Sequence, residues 1–473
     1  MRTCVTVWVV AGAALVAASG AALAQTPTPG APPVGPPPAQ PAAPPAPPVT
    51  PAPAPVSAQP APPAGTPQAR VFGRVLSVDD AVGIALETQP SIQARLGDYA
   101  AAAYRVDQAL APLLPQITGT WTVARAQSVP TVFAGSGRSD VTWNTAMAAR
   151  LALSQVLFDF GKSYASTEVA RRLADVALED TELQRQLVTQ TVKEAFTNIN
   201  FAQRLIRVNA QALQRAELNL RSARGFFEVG TRPRSDVTRA EVDVANARVD
   251  VIRARNAERL ARVALATAMG LPATTPLQIE DNLVYEPVTM DSARLLEEAL
   301  RQRPESRQAR LQADAADSLV RRAFRDFFPD VTGGGFYGAQ RTDFSEIWEL
   351  NLSLSWPIFD GGNRIARYRE AKANLDAARA RVKSTELDVA REVEQAQSNV
   401  IDAEERIQAA QVAVASAQEN FRLAQGRFDA GVGTILELTD AQLALTLAQN
   451  TEAQALADYR IALARLDRAT GRR

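Results

Sequence analysis

The chain has 473 residues and 46% hydrophobic content, enough to bury a sizeable core, and its 51 basic and 51 acidic side chains balance, so net charge predicts no nucleic-acid partner. It contains no histidine and a single cysteine, Cys4. This composition excludes a Ser-His-Asp triad, a Cys-His pair and an ordinary zinc site, and no phosphate-binding loop is present, so we expect no enzymatic activity, metal or cofactor.

The beginning of the chain predicts a secretory signal peptide at residues 1–24. Arg2 precedes an apolar run, and Ala22 and Ala24 form a small-residue cleavage site. A retained membrane anchor is the alternative. Since Cys4 lies inside this segment, the mature N-terminus would have no cysteine to carry a lipid. Residues 25–70 consist mainly of Pro and Ala, which predicts a disordered tether.

The remainder of the chain is a tandem repeat, with a first copy at residues 75–285 and a second copy at residues 286–473. Upstream of the predicted strands, Pro115 recurs 214 positions later as Pro329. Downstream the spacing is 201, so the first copy has an insertion in an exposed loop between its strands. The pairs 201 positions apart include Asp159 and Asp360, Gly161 and Gly362, Phe227 and Phe428, and Gly230 and Gly431.

Each copy contains two predicted strands. They lie at residues 115–126 and 141–158 in the first copy and at residues 329–341 and 346–359 in the second. In the last of these, apolar residues alternate with polar ones, which is typical of a membrane strand with its apolar side outward and of a half-buried soluble hairpin. The apolar positions are Trp348, Leu350, Leu352 and Leu354.

A long helical hairpin follows each strand pair, at residues 161–270 and 362–471. Apolar side chains recur three and four residues apart, which predicts antiparallel coiled-coil packing. The first helix in each copy is about twice as long as the returning one, so we expect two short helices, stacked end to end, beside each long helix. The predicted buried positions are Ile199, Ala202, Ile206, Asn209, Leu213, Ala216, Leu220, Ala223 and Phe227, with Val400, Ala403, Ile407, Ala410, Val414, Ala417, Phe421, Ala424 and Phe428 in the second copy.

The strand-to-helix junctions read FDFG and FDGG. Their glycines let the backbone turn from strand into helix, and the aspartate before them is predicted to cap the helix. The junction residues are Asp159, Gly161, Asp360, Gly361 and Gly362.

Four strands are too few to close a barrel in one chain, and open strand edges are not tolerated in lipid. A membrane sheet would therefore be pooled, giving eight strands from two subunits or twelve from three. The residues leave open a different class of protein, a periplasmic coiled-coil adaptor or structural protein without a pore. The duplicated amphipathic strands argue against it, because a soluble coiled coil does not need them.

The ordered pattern of signal peptide, duplicated helix, LP or FP, strand pair, FDFG or FDGG and long heptad hairpin resembles the TolC family of outer-membrane efflux proteins. The resemblance implies a mainly α-helical fold with a small membrane β-barrel: a TolC-like homotrimer whose 12-stranded barrel continues into a coiled-coil periplasmic tunnel. It also implies a passive duct in the Gram-negative outer membrane, exporting drugs or other substrates. Its partners would be the lipid bilayer, a periplasmic adaptor (membrane fusion protein) and an inner-membrane pump or transporter.

The resemblance also implies that the hairpin tips face the adaptor and that the second-copy hairpins close the periplasmic entrance. The acidic gate positions of the family fall on Glu437 and Asp440. The family's tip arginine falls on Gly433, whereas arginines crowd the first-copy tip. Ordinary turn chemistry is the alternative explanation of the tip glycines. The predicted adaptor-facing residues are Gly230, Thr231, Arg232, Arg234, Gly431 and Gly433.

Overall fold

The computed structural model describes residues 74–128, 142–288, 290–341 and 345–472. The predicted signal peptide, the tether and the inserted loop of the first copy lie outside the described residues. The first copy contains α1 (Val78–Thr88), α2 (Pro90–Leu110), a 3-10 turn (Ala111–Leu113), β2 (Gln116–Ser128), β3 (Thr142–Phe158), α3 (Lys162–Glu228) and α4 (Arg234–Ala268). The second contains α5 (Ser292–Gln302), α6 (Pro304–Arg325), β5 (Asp330–Arg341), β6 (Ser345–Ser355), α7 (Asn363–Asp429) and α8 (Ile435–Thr470).

The long helices α3 and α7 have 67 residues each, about 100 Å of helix at 1.5 Å per residue. Two shorter helices pack along each of them, α2 and α4 beside α3, and α6 and α8 beside α7. The expected end-to-end stacking is present. A Cβ added at Gly270, at the end of α4, would lie 3.0 Å from the Gln89 backbone that precedes α2, and one at Gly471 would lie 3.1 Å from the Arg303 backbone that precedes α6.

The second-copy helix α7 buries the narrow heptad face that its sequence predicts, from Val400 to Ala410 and again at Ala424 and Phe428. The first-copy helix α3 buries more positions, because it packs against α2, α4, α6 and α8. One predicted position is wrong: Phe227 is 44% exposed. Its neighbour Phe226 packs instead against Phe428, with ring centroids 5.7 Å apart.

The four long strands form one antiparallel sheet in the order β2-β3-β5-β6. The two copies therefore meet at the β3–β5 pair, where a register shift between Val156 and Phe158 bends β3. Strands β2 and β6 are the edges of this sheet. Strand β6 ends at Ser355, four residues earlier than predicted, since Pro357 has no N–H to donate and the turn to α7 begins there.

A second, small sheet was not predicted. It pairs β1 (Val75–Leu76) with β4 (Gln278–Ile279) in parallel, and Leu76 is buried against the middle of α3. Two residues per strand are too short to produce a periodic signal in the sequence.

Candidate functional site

The four-stranded sheet has one apolar and one polar face, and the strand register aligns these faces across all four strands. Leu151 of β3 lies opposite Gly119 of β2 and Tyr337 of β5, and Tyr337 lies opposite Trp348 of β6. The large side chains of the apolar face are exposed in the single chain, to 79% at Trp121. These exposed side chains are Ile117, Trp121, Val123, Leu151, Leu153, Tyr337, Trp348, Leu350, Leu352 and Leu354.

The opposite face carries threonines, serines and charged groups. Arg150 lies over the ring of Phe336, with its guanidinium carbon 5.2 Å from the centroid, and donates a hydrogen bond of 3.2 Å to the Gln340 Oε1. Glu349 and Asn351 are on the same face. An apolar face toward lipid and a polar face toward water is the division that a membrane strand requires. In the described parts of the chain, no helix combines the length and the apolar character needed to cross a bilayer.

At both strand-to-helix junctions the aspartate caps the helix from two residues before the N-cap glycine. Asp159 accepts hydrogen bonds from the Gly161 N–H at 2.9 Å and the Ser163 N–H at 2.7 Å, and Asp360 does the same for Gly362 and Arg364 at 3.2 and 3.1 Å. Burial alone would raise the pKa of Asp159, but the bonds from Ser163 and Gly161 outweigh it, so the pKa of this carboxyl is lowered. The hydrogen bond from the Arg364 side chain lowers the pKa of Asp360.

The two junctions turn the backbone with different residues. Gly361 and Gly362 both have positive φ, at 69° and 87°. In the first copy, Phe160 stands in the position of Gly361 and adopts φ 51°, which is unfavourable for a side chain. Its ring stacks on Phe328 at 5.3 Å, so aromatic packing holds the residue in this conformation.

The two hairpin tips contact each other inside one chain. Arg232 donates a 2.6 Å hydrogen bond to the Gly433 carbonyl, and its guanidinium carbon lies 4.5 Å from the Phe428 ring centroid. Its side chain is 12% exposed and also lies 3.6 Å from Asp236. Gly433 has no room for a side chain, since a Cβ there would lie 2.9 Å from the Phe428 backbone nitrogen. The predicted tip residues are therefore brought together by Arg232.

The remaining predicted tip residues lie around this contact. Gly230 and Gly431 have φ of 75° and 77° and end α3 and α7. The Thr231 hydroxyl donates to the Phe226 carbonyl at 2.9 Å, and Arg234 is exposed.

The two predicted gate carboxylates lie in the first turns of α8. Glu437 is 3.2 Å from the Nε of Arg427, an arginine that the sequence reasoning missed because the pair spans the turn between two helices. Asp440 is exposed, and the structure brings neither Arg232 nor Arg234 of the same chain to it. Thr439, beside it, donates a 3.0 Å hydrogen bond to Asp243 of α4, which is a further contact between the two hairpins.

Comparison with known proteins gives matches over most of the chain. A family model described as outer membrane efflux protein matches residues 81–271 and 295–472. The chain is 26% identical over 415 residues to the alkaline protease secretion protein AprF of Pseudomonas aeruginosa, covering 83% of both chains. It is 26% identical over 402 residues to the outer membrane protein TolC of Escherichia coli, covering 79% of this chain and 78% of TolC. The solved structure of the outer-membrane channel OprN superposes with a TM-score of 0.72 at 22% identity, covering 83% of this chain and 89% of OprN.

Proposed function

Because the chain belongs to the outer membrane efflux protein family, a family of channels and not of enzymes, we propose that three copies pool their sheets into a 12-stranded barrel. Each subunit contributes the order β2-β3-β5-β6, and β6 of one subunit then pairs with β2 of the next. The observation that carries the proposal is the sheet itself, which has one apolar face and two edges, β2 and β6, that no other described strand pairs. Exposed strand edges are incompatible with lipid, so closure through neighbouring subunits satisfies their N–H and C=O groups.

The protein is an outer-membrane channel of a tripartite export system that extends into the periplasm. The long hairpins α3–α4 and α7–α8 form the walls of the tunnel, and their tips dock to the periplasmic adaptor, through which the channel works with an inner-membrane pump or transporter. The duct is passive. We assign it small-molecule efflux, including drugs, as its principal cargo; AprF, which it resembles over its length, is named for protease secretion.

The mass of the detergent-extracted protein, together with its conductance in a planar bilayer, tests this function. We expect a homotrimer that conducts ions, and on a gel the unheated trimer should migrate more slowly than the monomer released by heating. A monomer that never conducts would overturn the pooled barrel. Such a result would favour the alternative, a coiled-coil adaptor without a pore.

The proposed gate lies at the entrance formed by the second-copy tips. Three copies of Glu437 and Asp440 form acidic rings there, which favour cations. Exposed carboxylates in a ring repel one another, and this repulsion is offset where a basic group approaches, as Arg427 approaches Glu437 at 3.2 Å.

The charge at Asp440 can be tested without breaking a hydrogen bond or ion pair among the described residues. We expect Asp440→Ala to reduce cation selectivity, because it removes one ring of charge, and to raise single-channel conductance roughly twofold, because the shorter side chain widens the proposed gate. Asp429→Ala, at the end of α7, is the control, because its carboxylate is held by Gln425. Unchanged conductance and selectivity in Asp440→Ala would remove the gate assignment.

A further inference from the structure

An exposed surface of aromatic and cationic side chains lies in the second copy, where the sheet meets the helices. We call it the junction surface and define it by Phe324, Phe327, Trp356, Tyr368 and Lys372. The Tyr368 ring lies 6.1 Å from the Phe324 ring and 6.4 Å from the Phe327 ring, and the Lys372 Nζ lies 4.8 Å from the Tyr368 centroid. Phe324 is 51% exposed and Trp356 is 59% exposed.

The junction surface is continuous with the apolar face of the sheet. Trp356 follows Trp348, Leu350, Leu352 and Leu354 at the same two-residue spacing, and its indole N–H donates a 3.2 Å hydrogen bond to the Phe327 carbonyl. Tryptophan and tyrosine favour the boundary between hydrocarbon and lipid headgroups, where an apolar ring and a polar group are both satisfied. The surface therefore begins where the apolar face ends.

The first copy shows that the fold does not require these rings. At the position equivalent to Trp356 it has Gln155, whose side-chain amide donates the same hydrogen bond, 3.3 Å to the Leu113 carbonyl. The counterparts of the three other rings are aliphatic or polar: Leu110, Leu113 and Thr167. Both copies therefore have the hydrogen bond that connects the strand to the helix. Only the second copy has aromatic side chains at these positions.

A second cation, Arg369, adjoins Lys372 at this surface. Arg369 and Lys372 are exposed and three residues apart on α7, so they are neighbours on the helix surface. Across the described residues, neither has a carboxylate within salt-bridge distance. Arg364, by contrast, is held 2.9 Å from Asp360. On α7, Glu370 follows Arg369 about 100° further around the helix, and Asp376 lies about one turn beyond Lys372.

From this arrangement we propose that the junction surface binds the headgroup of a phospholipid from the periplasmic leaflet, one site per subunit. The anionic phosphate lies between Arg369 and Lys372, and the glycerol region lies against Trp356 and Tyr368. Anionic lipids attract such cations at a membrane surface. The aromatic rings set how deep this part of the chain lies in the membrane, so that the two cations are level with the lipid phosphates. The proposal rests on the outer-membrane location of the sheet.

Native mass spectrometry of the full-length, detergent-solubilised protein with added phosphatidylglycerol tests the proposal. We expect the assembled protein to retain up to one lipid per subunit, and R369Q/K372Q to lower the apparent affinity roughly tenfold, since two cations adjoining the phosphate are lost. Trp356→Gln, which keeps the hydrogen bond as Gln155 does, should also lower retention. The matched control is Arg171→Gln, because Arg171 is the first-copy counterpart of Lys372.

Equal retention by the wild type and R369Q/K372Q would overturn the proposal. So would an equal loss in Arg171→Gln, which would indicate general charge attraction. Subunit mass and conductance are measured on the same samples. If these remain those of a conducting trimer while lipid retention is unchanged by every variant, the lipid site is wrong and the channel function stands.

Discussion

Single side chains decide how the two hairpin tips are joined. Arg232 is the clearest case, because its guanidinium is nearly buried between two phenylalanines, Phe226 and Phe428, and reaches the backbone of the other hairpin at Gly433. A hydrogen bond from a charged donor to a buried carbonyl contributes about 1.5–3 kcal/mol, more than an exposed ion pair such as Arg427 with Glu437. We therefore expect the two tips of one subunit to move together.

Replacing Arg232 should release the tips from each other. In Arg232→Gln we expect hydrogen exchange of the backbone amides around Gly433 to accelerate roughly tenfold, because the contact that restrains the turn is lost. The exposed Arg234→Gln, two residues away, is the control and should exchange like the wild type. Equal protection at Gly433 in all three proteins would show that the turn does not depend on Arg232.

The junction aspartates predict an acid-sensitive contribution to stability. The pKa of Asp159 is lower in the folded chain than its ordinary value, so its stabilisation is present above the ordinary pKa and is lost as the pH falls through the folded one. We expect Asp159→Asn to lower the thermal unfolding temperature at about pH 7, as the loss of a helix cap worth about 1 kcal/mol would, and to change it little at a pH below the folded pKa of Asp159.

Asp360→Asn is the comparison for this experiment. Asp159 is 7% exposed, whereas the Asp360 side chain is 27% exposed, so water can replace part of the lost interaction at Asp360. The effect at Asp360 should be the smaller one. A difference between wild type and Asp159→Asn that is the same at both pH values would show that the charge of the carboxylate does not contribute.

At the level of elements, the strands and long helices could be predicted because their patterns are periodic and occur twice. Six of the nine predicted heptad positions of α7 are buried and the other three are half-buried, which fits a helix that buries a single face. Phe227 could not be placed, because the choice between it and Phe226 depends on Phe428 of the other hairpin, about two hundred residues away. The same holds for Arg427 and Glu437, whose pairing requires the geometry of the turn.

The glycines of β5 allow a prediction about strand packing that does not follow from the hydrophobic pattern of the sheet. A Cβ at Gly338 would lie 2.2 Å from the Ala149 carbonyl oxygen of the neighbouring strand, so the backbones must separate to accommodate any side chain. We expect Gly338→Ala to cost about 1–3 kcal/mol and to reduce the yield of heat-resistant assembled protein. Gly119→Ala in β2 has open space around its added methyl and should assemble normally. Equal yields would mean that the strand pair relaxes without loss.

For the whole molecule, the decisive feature is that neither edge of the sheet is paired with another strand of the described residues. The side-chain alternation fixes which residues can meet across the proposed subunit boundary. Thr118 of β2 lies on the polar face, as do Asn351, Ser353 and Ser355 of β6. Leu352 lies on the apolar face. Pairs of cysteines on one face can approach within disulfide distance, whereas pairs on opposite faces cannot.

Cysteine cross-linking therefore tests closure directly, and the predicted mature chain offers a cysteine-free background because Cys4 lies in the signal peptide. Thr118→Cys is combined in turn with Asn351→Cys, Ser353→Cys and Ser355→Cys, since these three span the registers in which β6 can meet β2. We expect at least one combination to give disulfide-linked dimers and trimers on a denaturing gel, and Thr118→Cys with Leu352→Cys to give none. If all three same-face combinations stay monomeric, β6 does not pair with β2 of a neighbour. The edges would then be protected in some other way, and the 12-stranded barrel would be wrong even for a trimer that conducts.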